Sequence, residues 1–376
     1  MIDVIAAIAR WFQLIANLIL LGSCVFFAIA STRKRAYIEP WIEGLERTFP
    51  WLAISIPIGL VVILATTIVQ VTGPGSNLWQ PEVWLGIIKD TQAGQIWILR
   101  TVSSLLLVFV VIYLRKAPKT RWRYILCAVF AALPIIAGSL ASHTAAEEFS
   151  ESAVMPYVLH LLLVGVWFGA LPAFLLLIYD DNKQRGSKKL RNLEFETLKR
   201  FSSVALPAML LIILTGIIVG DRIFDGHYAA LVATPYGLML SAKILLLCVI
   251  LLIASRVRSH WLPLLTNNNQ ATEDSGRIGM RKWVRVEFVL AIILVLLATI
   301  ITNTTPVKYA PIENWPFPFR FSINATWNQP NVAIQVWIGL SILVFAAGTI
   351  PLGRFLNWRI KQLISISTIL AILGFV

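Results

Sequence analysis

The sequence predicts an all-α protein, a polytopic transmembrane helical bundle of about nine helices, with eight to ten as the range. Hydrophobic residues make up 58% of the 376 residues, and only 14% are charged. The mean hydropathy is +0.77. Apolar stretches recur along the whole chain, each long enough to cross a hydrocarbon core of about 30 Å. These features exclude a large soluble domain.

The apolar stretches place the helices along the chain. They lie at 4–30, 49–72, 94–114, 124–142, 154–179, 204–220, 235–254, 284–303 and 332–352, and a weaker one runs from 362 to the end. We divide the chain into an N-terminal three-helix membrane segment, a membrane core and a C-terminal segment of one or two membrane helices. These three parts cover 1–123, 124–325 and 326–376.

The formal net charge of +13 indicates membrane topology and not a nucleic-acid partner. Lys and Arg gather in alternate loops, as in RKAPKTRWR at 115–123 and KQRGSKKLR at 183–191. The positive-inside rule makes these loops cytoplasmic. The N-terminus is therefore expected on the outer side of the membrane.

The three cysteines all fall inside predicted spans, and none is close to another in sequence. They are Cys24, Cys127 and Cys248. We interpret them as small buried residues, with a disulfide or a metal site as the alternative.

A histidine interrupts the apolar stretch YVLHLLLVGVWFGALP at 157–172. Ionisable groups are costly in a membrane and usually face the bundle interior or a water-filled cavity. His160 lies about two turns into its span, and His143 lies at the outer end of the preceding span. Together with Met155 they form a group of imidazole and thioether donors, which suit copper. The alternative is that His160 only hydrogen-bonds a neighbouring helix.

Spacing within this span adds two expectations. His160 and Trp167 are seven residues apart and therefore share one helix face. We expect Trp167 to pack under His160 and fix its rotamer. Gly165 and Gly169 form a small-xxx-small pair that permits close helix approach.

Five further charged residues are candidates for supporting roles. The acidic loop containing Glu147 and Glu148 can concentrate cations at the outer mouth. Arg100 and Lys243 lie inside spans, where they snorkel to the outer interface, pair with Asp221 or Asp225, or bind an anion or a lipid headgroup. Glu287 lies near the inner end of its span, where a salt bridge to a nearby basic residue is the simplest interpretation.

Several classes of protein are excluded by missing motifs. The sequence lacks GxxxxGK[ST], an aspartyl-phosphate motif, HExxH and CxxCH, so an ATP-driven pump, a zinc protease and a covalent haem protein are unsupported. We expect no enzymatic activity and therefore assign no catalytic residue. We also find no convincing internal repeat, which leaves an inverted-repeat transporter without support.

The chain resembles the copper resistance protein D (CopD) family of bacterial inner-membrane proteins. The resemblance is carried, in order, by SHTAAEE at 142–148, LHLLLVGVWFGAL at 159–171, RFSSVALPAMLLIILTG at 200–216, ATPYGLMLSAKILLL at 233–247, RVEFVLAIILVLLATIITNTTP at 285–306 and WPFPFRFS at 315–322. It implies a multi-pass inner-membrane protein with its N-terminus in the periplasm. It also implies copper movement across that membrane beside a periplasmic carrier of the CopC type.

The resemblance matches His143, His160, Trp167 and Lys243 to recognisable family positions, although Ser142 stands where the family usually has Gly. We therefore expect copper uptake from periplasm towards cytoplasm, in copper homeostasis and resistance. The hypothesised metal site consists of His143 and His160, with Met155 as a third ligand. The alternatives are a membrane redox protein with haem b held by two histidines, and a non-transporting copper-binding scaffold for periplasmic cuproenzyme maturation.

Overall fold

The computed structural model describes residues 2–31, 40–73, 80–140, 151–179, 188–224, 230–265 and 270–302, together with Thr304 and scattered positions between 334 and 373. In this part of the chain the regular secondary structure is helical. The chain divides into two compact units, Met1–Glu313 and Asn314–Val376. The helices α1 to α13 belong to the first unit.

These helices follow one another in a simple order along the chain. They are α1 (Ile2–Ala30), α2 (Pro40–Glu46), α3 (Phe49–Thr72), α4 (Pro81–Asp90), α5 (Gln92–Leu114), α6 (Arg121–Ser139), α7 (Glu151–Phe168), α8 (Leu171–Tyr179), α9 (Lys188–Phe224), α10 (Ala230–Ala233), α11 (Pro235–Arg256), α12 (Leu262–Leu264) and α13 (Gln270–Ile301). A π-helical turn, Val257–Trp261, joins α11 to α12.

Eight stretches of the described chain are long and apolar enough to cross a membrane, which confirms the first eight predicted spans. They are Ile2–Ala30, Ile42–Thr72, Gln92–Leu114, Arg121–Ser139, Val154–Ile178, Phe195–Asp221, Pro235–Leu264 and Thr272–Ile301. Helices satisfy every backbone polar group internally, which lipid requires. The predicted stretches at 332–352 and beyond 362 lie largely outside the described residues.

Helix α1 is the centre of the bundle. It contacts α3, α6, α7, α8, α9 and α13. Its second half is almost continuously buried, from Ala16 to Ala28 with few interruptions. The Ser23 hydroxyl donates a hydrogen bond to the Gly169 carbonyl at 3.1 Å. A helix that is apolar on all sides and surrounded by others is the expected core of such a bundle.

Glycines allow α1 to approach the fifth span very closely. A Cβ atom on Gly22 would collide with the backbone of Gly165, Gly169 and Ala170, and a Cβ on Gly169 would collide with the Leu18 carbonyl. The predicted close approach at the Gly165–Gly169 pair is therefore confirmed. The fifth span is also interrupted here, because α7 ends at Phe168 and α8 begins at Leu171.

The first four spans and the next four share several helix contacts, although the sequence shows no convincing internal repeat. In the first half α1 packs on α3 and α5 packs on α6, and in the second half α7 packs on α9 and α11 packs on α13. Each half places a short helix, α4 or α10, against the start of its third span. Because each half has four spans, the halves run in the same direction through the membrane.

Matching caps begin the third span of each half. The Thr91 side chain accepts a hydrogen bond from the Gly94 amide at 3.0 Å, and the Thr234 side chain accepts one from the Gly237 amide at 3.0 Å. Such caps satisfy amides that the helix itself leaves unpaired. The shared sequence is only TxxG, which is too short to reveal the repeat by sequence inspection.

We predict that Gly169→Ala lowers the thermal stability of the purified protein. The added methyl group would meet the Leu18 carbonyl, so one backbone must shift, and overpacking of this kind costs about 1–3 kcal/mol. Thermal unfolding in detergent measures the effect. The matched control is Gly220→Ala, because a Cβ there has nothing within 4 Å. Equal melting temperatures for both variants would contradict the close packing.

Candidate functional site

The His160 imidazole lies between α7 and α9 and is held there by two oxygen atoms. Its Nδ1 atom is 3.1 Å from the Ile212 carbonyl oxygen and 3.0 Å from Thr215 Oγ1. The Thr215 hydroxyl is itself a donor, to the Leu211 carbonyl at 2.7 Å or the Ile212 carbonyl at 3.1 Å. Both oxygens beside Nδ1 therefore accept, and neither offers a proton to it.

This arrangement assigns the tautomer of His160. A neutral imidazole carries its proton on one ring nitrogen and a lone pair on the other. Since Nδ1 faces only acceptors, it carries the proton, and the lone pair belongs to Nε2. Histidines that bind metals are commonly oriented in this way, with the second ring nitrogen donating to a carbonyl or another acceptor. The geometry of His160 thus suits a ligand that accepts electrons from Nε2.

Two neighbours complete the surroundings of His160. Gly216 on α9 makes room for the ring, because a Cβ there would lie only 3.3 Å from His160 Cε1. Lys243 on α11 lies close enough to interact electrostatically with His160.

Trp167 lies two turns beyond His160 on the same helix face, and its indole is tied to another span. Trp167 is 3% exposed and Glu287 is 4% exposed. The Trp167 Nε1 atom donates a hydrogen bond to Glu287 Oε1 at 3.2 Å. Glu287 thus accepts a hydrogen bond from a buried indole in this contact. The simplest expectation from the sequence was a salt bridge to a basic residue. The bond connects α7 to α13.

Arg100 makes its side-chain contact with α1. Its Nη2 atom donates to Gln13 Oε1 at 2.9 Å, and Gln13 is only 5% exposed. The Arg100 Nε atom is buried and makes no hydrogen bond within the described part of the chain. Arg10 lies close enough to interact with it electrostatically. The hydrogen bond to Gln13 holds the Arg100 guanidinium inside the bundle, so this side chain does not need to snorkel to the interface.

The internal repeat relates this contact to His160. A Cβ on Gly59 would lie 3.0 Å from Gln13 Cβ, just as Gly216 borders His160. Arg100 follows the capping Thr91 by nine residues, and Lys243 follows the capping Thr234 by nine. Gln13 thus occupies in the first half the place of His160 in the second half. Only the second half offers an imidazole there.

The predicted site residues are only partly brought together. His143, Glu147 and Glu148 lie outside the described residues. Met155 is 66% exposed, and five residues of helix turn its side chain about 140° away from His160. Among the described residues, no group of three His, Cys, Asp or Glu side chains could hold a metal ion. His160 is the predicted ligand whose geometry the structure describes in full.

The sequence inspection missed Gln13 and Thr215. Gln13 is a polar side chain inside an apolar span and could have been found by the same reasoning that found His160. Thr215 could not, because threonine is common in membrane helices and usually bonds its own backbone. Only its position opposite His160 gives it a role.

Two family models match the chain. One, described as Copper resistance protein D-like, N-terminal domain, matches residues 1–153, and the other, Copper resistance protein D, matches residues 195–301. Together they cover more than half of the chain. The first match includes the first four spans, and the second contains the sixth, seventh and eighth spans.

The name of a curated relative also refers to copper. Copper transport protein CutJ of Bacillus subtilis (strain 168) is 25% identical over 307 residues, which cover 79% of this chain and 53% of the relative. The chain thus spans about half the length of the curated relative it matches. No solved structure matches the chain. With two family models of one kind in chain order on a bundle of eight apolar helices, the chain belongs to the copper resistance protein D family.

Proposed function

We propose that this protein is an inner-membrane copper transporter that takes copper from the periplasm towards the cytoplasm and serves copper homeostasis. The single observation that carries the proposal is that Ile212 and Thr215 hold Nδ1 of His160 inside the bundle. This places the lone pair on Nε2, which makes no hydrogen bond within the described part of the chain. The family match and the name of the curated relative support copper as the ion. The protein binds and moves its substrate and carries out no covalent chemistry.

The environment of His160 favours passage over permanent binding. A transport site must bind well enough to admit an ion and weakly enough to release it. Imidazole is a good ligand for copper, whereas the nearby Lys243 ammonium repels a cation. The two effects oppose each other, so the ion is admitted without being trapped. Lys243 thereby acts on the ion through charge, without coordinating it.

The outer residues complete the proposed route. A periplasmic carrier of the CopC type delivers copper to the outer face, where Glu147 and Glu148 raise the local cation concentration. His143 and His160 then coordinate the ion. Met155 remains a predicted third ligand, which would require its side chain to turn inwards from its exposed position.

The main test is metal analysis of the purified protein together with its visible spectrum. We expect copper in the wild type and about one equivalent less in His160→Ala, because imidazole is a copper ligand and no other described side chain replaces Nε2. Cells carrying His160→Ala should also accumulate less copper. The matched control is His260→Ala, since His260 is exposed and lies in the π-helical turn after α11. Copper content and accumulation unchanged in His160→Ala would refute the proposal.

Two other outcomes point to the alternatives. A Soret band that disappears in His160→Ala, without copper, would identify the imidazole as an axial haem ligand. Bound copper without cytoplasmic accumulation would identify a scaffold for periplasmic cuproenzyme maturation.

We further predict that Thr215→Val weakens copper binding by about 10–100-fold, because outer-shell partners that orient a ligating histidine have effects of this size. Removing the hydroxyl leaves the Ile212 carbonyl as the remaining acceptor for Nδ1. Competition with a copper chelator measures the affinity. Thr66→Val is the matched control, because Thr66 is also buried and its hydroxyl bonds only its own helix at the Ile63 carbonyl. Equal affinities in the two variants would contradict the role of Thr215.

A further inference from the structure

Two cysteines far apart in sequence meet inside the bundle. Cys24 on α1 is fully buried and Cys127 on α6 is 5% exposed. Their thiols lie close enough for a side-chain hydrogen bond between them. Both are free cysteines in this structure. The sequence inspection interpreted them as separate small residues, and the contact between α1 and α6 brings them together.

Charged residues surround this pair on the side facing the end of the bundle. Arg123 Nη2 is 3.2 Å from Glu46 Oε1, and the side chains are only 9% and 11% exposed. The Tyr124 hydroxyl donates to the same carboxylate at 2.7 Å. Arg123 and Glu46 both lie close enough to Cys24 and Cys127 to interact with them electrostatically. Small buried residues that only fill space are normally surrounded by apolar groups, so this setting is unusual.

A small cavity leads to Cys127. Its lining includes Glu46, Arg115 and Arg123 together with Cys127 itself. The charged side chains of this cavity thus lie beside the Cys127 thiol, at the end of the bundle. That end carries the basic segment 115–123, which the positive-inside rule assigns to the cytoplasm.

We propose that Cys24 and Cys127 form a second metal site, which binds one Cu(I) ion through two thiolates near the basic end of the bundle. Thiolate ligands select Cu(I) over the divalent ions of the first transition row. Binding converts two thiols and one Cu(I) into a bis-thiolate complex with a net charge of −1, and releases two protons. The Arg123 guanidinium, which also pairs with Glu46 at 3.2 Å, is a cation close to that negative charge, and an unpaired charge in a low-dielectric interior is costly.

The position of the pair separates it from the His160 site. Cys24 follows Gln13 by eleven residues, which places it about 16 Å further along the axis of α1. Gln13 is the counterpart of His160 in the internal repeat, so the two sites lie at different depths. This inference rests on the proposed copper transport, in which the thiolates would hold the ion before its release.

The test is a titration of the reduced, full-length protein with Cu(I) in the absence of oxygen, against a chromogenic Cu(I) chelator. We expect one equivalent with thiolate-to-copper charge-transfer absorption. Cys24→Ser and Cys127→Ser should each lose that absorption and bind Cu(I) at least tenfold more weakly. Cys248→Ser is the matched control, because Cys248 is exposed on α11. Absorption that survives both variants, or is absent from the wild type, overturns the proposal.

X-ray absorption at the copper edge of the wild type covers the possibility that a serine variant does not fold. The wild type with one equivalent of Cu(I) should show sulfur ligands at the copper. A copper ion without sulfur ligands would also overturn the site. Failure of the transport proposal has a different signature, since His160→Ala would then leave copper accumulation unchanged while the thiolate absorption of the wild type persists.

Discussion

The close contact of α1 with the fifth span at Gly22, Gly165 and Gly169 is the constraint on which the rest of the bundle depends. In lipid, helices gain little from burying apolar side chains against each other, so association relies on tight packing between small residues. Here the backbones approach so closely that a single methyl group would part them. The Ser23 hydroxyl adds a hydrogen bond at the same point. This contact of α1 with the fifth span thereby joins the first four spans to the next four.

The two halves share a framework but differ in the polar side chain at one equivalent position. Each half has a capping threonine, a basic residue nine positions later and a glycine that makes room for a polar side chain. In the first half the polar side chain is Gln13, which binds the guanidinium of Arg100. In the second half it is His160, whose Nδ1 is bound by the Ile212 carbonyl and whose ring lies near Lys243. The polar side chain of the first half thus bonds its basic residue, whereas that of the second half keeps an electron pair on Nε2 for a ligand.

The sequence predicted the spans because lipid leaves the backbone no alternative to helices, and it identified His160 because an imidazole stands out among apolar residues. Close packing at Gly165 and Gly169 was likewise readable from their spacing. The acceptors around His160 could not be predicted from the sequence, since the Ile212 carbonyl reaches the imidazole only because α9 packs on α7. The Cys24–Cys127 contact joins positions separated by some hundred residues, and only the packing of α1 on α6 reveals it. The outward direction of Met155, by contrast, follows from its spacing to His160.

The interruption at Gly169–Ala170 has a mechanical consequence. Helix α8 packs on α1, α2 and α13, whereas α7 packs on α1 and α6 and carries His160 against α9. The regular helix is interrupted between Phe168 and Leu171, and Pro172 has no amide to donate, so a tilt of α7 relative to α8 would cost few backbone hydrogen bonds. His160 lies about 13 Å from this joint, so a tilt of about 10° would displace the ring by about 2 Å. The fifth span therefore consists of two helical segments whose junction lies against the central helix α1, with His160 on the segment that packs on α9.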